Sequence, residues 1–178
     1  ADLLEKRFSH FCVGEDSVAV SLHRELILRK KTLALAESCT GGAISAALTA
    51  MPGASSYLLG SLVVYSNAWK ERFLQVSHST LKKPGAVSLE TAREMIEGLF
   101  HETDADFGIA ISGIFGPDGA TLQKPVGTTY IAVGERGQKI DIGRLSAPAD
   151  RTSAIEWGVQ MALGALWRRL VFGVFSFS

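Results

Sequence analysis

The sequence predicts an α/β fold, a three-layer α/β/α sandwich on a mixed, mostly parallel sheet of about five strands. Three observations carry that class. Apolar runs short enough to be buried strands, residues 33–36 and 106–112, alternate with helical patterns. Two further strand candidates, 128–133 and 140–145, flank Glu135-Arg136-Gly137-Gln138, which has hairpin composition. Finally, 178 residues with 47% hydrophobic content suit one well-packed core rather than two.

Residues 1–16 read as a lead-in, with a short strand around residues 8–13 as its one candidate element. Asp16 and Ser17 offer an N-cap for a helix with Val18, Leu22 and Leu26 on one face and Arg29, Lys30 and Lys31 at its negative end. Residues 33–36 form a buried strand that breaks at Glu37-Ser38-Cys39-Thr40-Gly41-Gly42 and resumes as an alanine-rich helix over 43–50. Thr40 or Ser38 is the expected cap, and the N–H groups of the helix start are expected to face an anion pocket beside a hydroxyl. Taken alone, the loop favours an ordinary strand-to-helix turn over a catalytic site. Met51-Pro52-Gly53 stops that helix, and 57–65, containing LLGSLVVY, reads as a second buried strand. Asn67 is the expected cap of a short helix with Lys70 in its first turn, an awkward place for a cation because the dipole there is positive. The linker 76–87 holds Pro84-Gly85. Ser88 caps an amphipathic helix with Ala92, Met95, Ile96, Leu99 and Phe100 inward, ending near His101. After the third strand, 106–112, the run 113–127 is long and rich in glycine and proline, as a loop lining a site would be. Pro148-Ala149-Asp150 leads into a last helix that buries Ile155, Val159, Leu163 and Leu166, and the apolar tail 171–178 packs on the domain or on a partner chain.

Composition excludes several classes. Lysine plus arginine equals aspartate plus glutamate at 18 each, so no overall basic field draws the chain to nucleic acid or to an anionic membrane. Cys12 and Cys39 give neither a disulfide framework nor a zinc spacing, which fits a reducing compartment. The N-terminal stretch lacks a secretory signal pattern, and no apolar run approaches the roughly 20 residues of a membrane span. The expectation is a cytoplasmic protein without a metal or other cofactor.

In such sheets ligands bind beyond the carboxyl ends of the parallel strands. Three loops meet there: one with Ser38, one with Tyr65 and Lys70, and one with Ser112 and Gly113. The first loop lacks a P-loop lysine and the spacing of a dinucleotide fingerprint. His10, His23, His78 and His101 fall on the lead-in, helices or a linker, so a Ser-His-Asp triad has little support, His78 remaining open. A serine with a lysine base fits better. Ser38 stands at a helix start, where N–H groups near Thr40 and Gly41 would hold an oxyanion. Lys70 as its base must titrate well below the ordinary value of about 10.4, a shift that burial and a positive helix end both favour. Cys39 is a rival nucleophile. Adjacent residues at a helix start point about 100° apart, so only one of the two faces the pocket.

The strings AESCTGG (36–42), YSNAWK (65–70), GAVS (85–88), SGIFGPDG (112–119) and KPVGT (124–128) closely resemble the C-terminal domain of the competence/damage-inducible protein CinA. The resemblance runs from about Ser17 to Leu170. It implies a nicotinamide-nucleotide amidohydrolase that converts nicotinamide mononucleotide to nicotinate mononucleotide and ammonia without metal, in a fold commonly found as a homodimer. Position by position it implies Ser38 as nucleophile, Lys70 as base, Tyr65 and Ser112 as supporting polar groups, and Arg151 as a substrate-contacting cation. Thr40, Gly41, Gly42 and Gly113 join Ser112 and Arg151 as candidate substrate contacts. Residues 17–178 would be this single domain, and 1–16 a remnant of the segment that joins it to a pyrophosphatase-like domain in longer family members. Three positions depart from the family pattern: Phe115, Ala120 and Ala149. Phe115 is expected to narrow the pocket, which gives weight to a rival reading, a non-catalytic nucleotide-binding or interaction domain linked to competence or DNA damage.

Overall fold

A computed structural model describes residues 17–173. The strand expected around residues 8–13, Asp16, His10, Cys12 and residues 174–178 of the tail lie outside the described residues. The described chain runs α1 (Val18–Arg29), β1 (Leu33–Glu37), α2 (Ala43–Thr49), β2 (Leu58–Val63), α3 (Asn67–Leu74), α4 (Leu89–Glu102), β3 (Phe107–Gly113), β4 (Thr128–Glu135), β5 (Asp141–Ser146) and α5 (Arg151–Phe172). The strands form one sheet in the order β2-β1-β3-β4-β5. β1 pairs in parallel with both β2 and β3, and β4 is antiparallel to β3 and β5, so four of the five strands point the same way.

The strand sequences alternate large and small residues, and this sorts the two layers. Leu33, Leu35, Ile109, Ile111, Ile131 and Val133 pack into one core with Leu22 and Leu26 of α1, Ile44 and Leu48 of α2, and Leu163 and Leu166 of α5. Ala34, Ala36, Ala110 and Ala132 line the other face, against Leu74 of α3 and Met95, Ile96 and Leu99 of α4. Because side chains alternate across a sheet, β1, β3 and β4 offer branched residues to three helices and alanines to two. Small residues on that second face leave room for the helix carrying Lys70 and its neighbour to sit close.

Several expectations are corrected. β2 is an edge strand, only partly buried and with Leu59 half exposed, because its apolar sequence flanks one partner instead of two. The linker 76–87 contains helical turns, His78–Thr80 and Leu81–Gly85. Ser66, not Asn67, caps α3, its hydroxyl accepting from the Trp69 N–H, so Lys70 lies at the end of the first turn. Gly42 occupies the N-cap position of α2 at φ 101° and supplies no side chain. Neither Ser38 nor Thr40 caps that helix. Ser17 and Ser88 cap α1 and α4 as expected.

Candidate active site

Register brings the three loops together. Glu37 at the end of β1 pairs with Val63 of β2 on one side and Ile111 of β3 on the other. The next backbone bonds continue the pattern: Ser38 N–H donates to the Ile111 carbonyl, and Val64 N–H donates to the Glu37 carbonyl. Ser38, Val64 and Ser112 therefore stand on one rim of the sheet.

On that rim the Lys70 amine lies 2.9 Å from Ser38 Oγ, 2.8 Å from the Val64 carbonyl and 3.2 Å from the Tyr65 carbonyl. Lys70 is 1% exposed and Ser38 7%. A neutral amine has two N–H donors and one lone pair. The two carbonyls can only accept, so they take the two N–H groups and leave the lone pair for the serine hydroxyl. The protonated amine satisfies the same three oxygens with three donors. A proton can thus pass between Oγ and Nζ without stranding a polar group in either state.

The surroundings shift the amine toward its neutral form. Burial pushes the Lys70 pKa down to about 8. The Cys39 sulfur would raise it only as a thiolate, and burial holds that thiol up at about 12. Cys39 is a packed side chain, 5% exposed in the main core, and its thiol stays protonated where Lys70 is already losing its proton. Of the two candidate nucleophiles, the hydroxyl is the one in contact with an amine of lowered pKa.

Glu37 was not among the candidate residues, yet its wholly buried carboxylate organises the loop. Oε2 accepts from Thr40 Oγ1 (2.8 Å), Gly42 N–H (3.1 Å) and Ile44 N–H (3.0 Å), and Oε1 accepts from Ser45 N–H (2.9 Å) and Ser61 Oγ (3.1 Å). The expected anion pocket at the start of α2 is therefore filled by the chain itself. With Thr40 and Ser38 both available as caps in the sequence, no local signal marked Glu37; only the structure shows that the helix has no capping side chain and that this carboxylate takes its place. Gly41 N–H is also taken, by the Ser38 carbonyl. The amides of Cys39 and Thr40 donate to no oxygen among the described residues, and both reach the Cys39 sulfur, whose thiolate they would favour.

The remaining candidates are placed as follows. Thr40 is buried against Glu37, and Gly41 and Gly42 take positive φ values of 61° and 101° that L side chains resist. Ser112 is buried, and its hydroxyl donates to the Ala86 carbonyl at 2.7 Å, tying the Gly85–Ser88 segment to the end of β3. Gly113 lets the loop pack closely, since a Cβ there would stand 3.1 Å from Cys39 Sγ. Tyr65 contributes its carbonyl to Lys70, whereas its exposed phenol accepts from Arg151 at 2.8 Å. Arg151, the first residue of α5, also donates to the Gly116 carbonyl at 3.0 Å, so it links the strand-two loop to the long loop. Phe115 lies inside the core beside the rim, its ring 3.2 Å from where a Cβ on Gly113 would stand. It is 2% exposed in the main core, and a Cβ on Gly158 of α5 would come within 3.3 Å of its ring. Among the described residues no group of three His, Cys, Asp or Glu side chains is arranged to hold a metal, and no helix is long and apolar enough to cross a membrane.

Known proteins resemble this chain over the same span. The CinA C-terminal domain family matches residues 15–170. A CinA-like protein of Synechococcus sp. (strain CC9902) is 42% identical over 171 residues, covering 94% of this chain and 41% of its own length. The chain thus spans about two-fifths of the length of such relatives. A CinA superfamily protein from Klebsiella pneumoniae 700603 superposes with a TM-score of 0.83 at 35% identity, covering 87% of this chain and 96% of its own. One from Enterobacter cloacae does so at 0.82 and 35% identity, over 90% and 96%. The five ordered motifs, the sheet order and these likenesses agree, and the chain belongs to the CinA C-terminal domain family.

Proposed function

We propose that this domain is a nicotinamide-nucleotide amidohydrolase that uses Ser38 as nucleophile and Lys70 as general base. The observation that carries the reading is the 2.9 Å contact between the Lys70 amine and Ser38 Oγ in a buried setting that lowers the amine's pKa to about 8. As Oγ attacks the carboxamide carbon of nicotinamide mononucleotide, Lys70 takes the hydroxyl proton. The amides of Cys39 and Thr40 stabilise the oxyanion. The C–N bond then breaks, Lys70 gives its proton to the departing ammonia, and an acyl ester remains on Ser38. Water attacks that ester, passing a proton through Lys70 back to Oγ and releasing nicotinate mononucleotide. Because Glu37 fills the start of α2, the substrate phosphate is assigned to Arg151 and the amides of the 113–119 loop.

The reading includes a cytoplasmic homodimer, with a small nucleotide as its only other partner; sedimentation of the purified protein tests the dimer. Ammonia release from nicotinamide mononucleotide by the wild type and by Ser38→Ala tests the chemistry. Release by the wild type and its loss in the variant support the assignment. Tight nucleotide binding by calorimetry with no turnover would replace it with a binding domain.

A further inference from the structure

We infer that Glu37 is a positioning residue that holds both halves of the Ser38–Lys70 pair in register, an assignment that rests on the reaction proposed above. Its backbone and its side chain do different parts of this. The Glu37 carbonyl accepts from Val64 N–H at 2.8 Å, and the Val64 carbonyl in turn accepts from the Lys70 amine at 2.8 Å. The carboxylate meanwhile gathers Thr40, Gly42, Ile44 and Ser45, the turn that follows the nucleophile, and Ser61 of β2. One residue thus fixes the strand end that seats the base and the turn that presents the serine.

An ordinary helix cap does not need this arrangement. A serine at the cap position serves α1, α3 and α4, and the exposed Asp150 that caps α5 accepts only from the Ser153 N–H of its own helix. A carboxylate with 0% exposure, met by neutral donors and by no cation among the described residues, is a costly substitute. Rules of this kind are broken mostly at functional sites. What the carboxylate adds over a capping hydroxyl is reach: two oxygens with five donors span the turn, the helix and the neighbouring strand. No hydrogen bond or ion pair joins Glu37 to Lys70, and burial, not Glu37, leads the lowering of the amine's pKa, so the action assigned to Glu37 is geometric.

The test is Glu37→Gln beside Ser61→Ala, both in the whole chain. A carboxamide must turn its NH2 toward donors on one side, either Thr40, Gly42 and Ile44 or Ser45 and Ser61, so it cannot hold all five. Ser61→Ala removes one donor and leaves the carboxylate. Folding is checked by circular dichroism. The readouts are kcat, KM and the pH midpoint for ammonia release, together with the rate at which a fluorophosphonate labels Ser38. That reagent forms an Oγ–P bond, loses fluoride and passes the serine proton to Lys70, so it reports the pair without the nucleotide.

For Glu37→Gln, kcat and labelling rate should fall together, on the order of a hundredfold for a displacement near 1 Å. Ser61→Ala should lose severalfold. KM and the pH midpoint should stay near wild type in both. A folded Glu37→Gln protein that labels within about twofold of wild type overturns the assignment, as does a pH midpoint moved by about a unit, which would mean Glu37 acts on the amine's charge. If Glu37→Gln does not fold, Ser61→Ala decides: a slowed label supports positioning and an unchanged one overturns it. A wild type that labels at Ser38 but releases no ammonia overturns the substrate while leaving the labelling comparison valid. A wild type inert to the label overturns both.

Discussion

Lys31 stands just before β1 at one end of the sheet, and Lys70 reaches over the other end of the same strand. The Lys31 amine lies 3.3 Å from Asp106 Oδ1 and 3.6 Å from Glu135 Oε1, with its side chain 36% exposed. Its hydrogen bond to Asp106 and that carboxylate's charge hold its pKa above the ordinary lysine value. Lys70 is wholly enclosed, meets two carbonyls and a hydroxyl, and has a pKa lowered to about 8. The first lysine is a solvated structural cation tying β1 to β3 and β4. The second is the base of the proposed reaction. Burial alone does not make the difference; it is burial without a carboxylate, beside acceptors that a neutral amine can also satisfy.

Replacing each lysine by methionine sharpens the contrast most. Lys70→Met should lower kcat for ammonia release on the order of 10³-fold, the range of a lost general base. Lys31→Met should leave kcat within about twofold. Equal losses would mean that both act through stability alone. In the wild type, kcat should rise roughly tenfold per pH unit below the midpoint near 8 and then level, because only the neutral amine works.

Stability against pH should separate the two lysines by sign. Between about 8 and 10.5 the unfolded chain still protonates Lys70 while the folded chain does not, so stability rises with pH across that window. Measured by urea unfolding, the wild type should gain ~3 kcal/mol on Lys70→Met from the bottom of the window to the top. Lys31 has a raised folded pKa, so its contribution is fully present below 10.5 and is lost as pH climbs through the higher folded value. Against Lys31→Met the wild type should lose ground at high pH. Slopes of the same sign would remove the distinction.

The smallest expected change is at Cys39, the rival nucleophile. Cys39→Ala should cost about 1 kcal/mol by thermal melting, for one small buried group, and leave kcat within about twofold. Loss of turnover would put sulfur back into the chemistry.

Much of this geometry was legible in the sequence. The apolar runs gave the strands, serines at positions 17 and 88 marked two helix starts, and a hydroxyl beyond one strand with a lysine beyond the next marked the rim. Other features were hidden for physical reasons. The apolar stretch in β2 looks the same whether one neighbour or two cover it, so hydropathy could not make it an edge. Glu37 looked like the polar end of a strand, since nothing local reveals that its side chain turns back to collect donors as far off as Ser61. The phenol of Tyr65 faces Arg151, not the amine, because it is the residue's backbone that contacts Lys70. The ring of Phe115 packs in the core between Gly113 and Gly158, a placement set by how the long loop turns and shown by no local pattern.

The most direct measurement is an NMR titration of the lysine side chains, with Lys70 and Lys31 assigned by their methionine variants. Lys70 should titrate near 8, while Lys31 should keep its proton beyond the ordinary lysine value of 10.5. A Lys70 midpoint at or above 10.5 would leave Ser38 beside a permanent cation and contradict its role as the nucleophile's base.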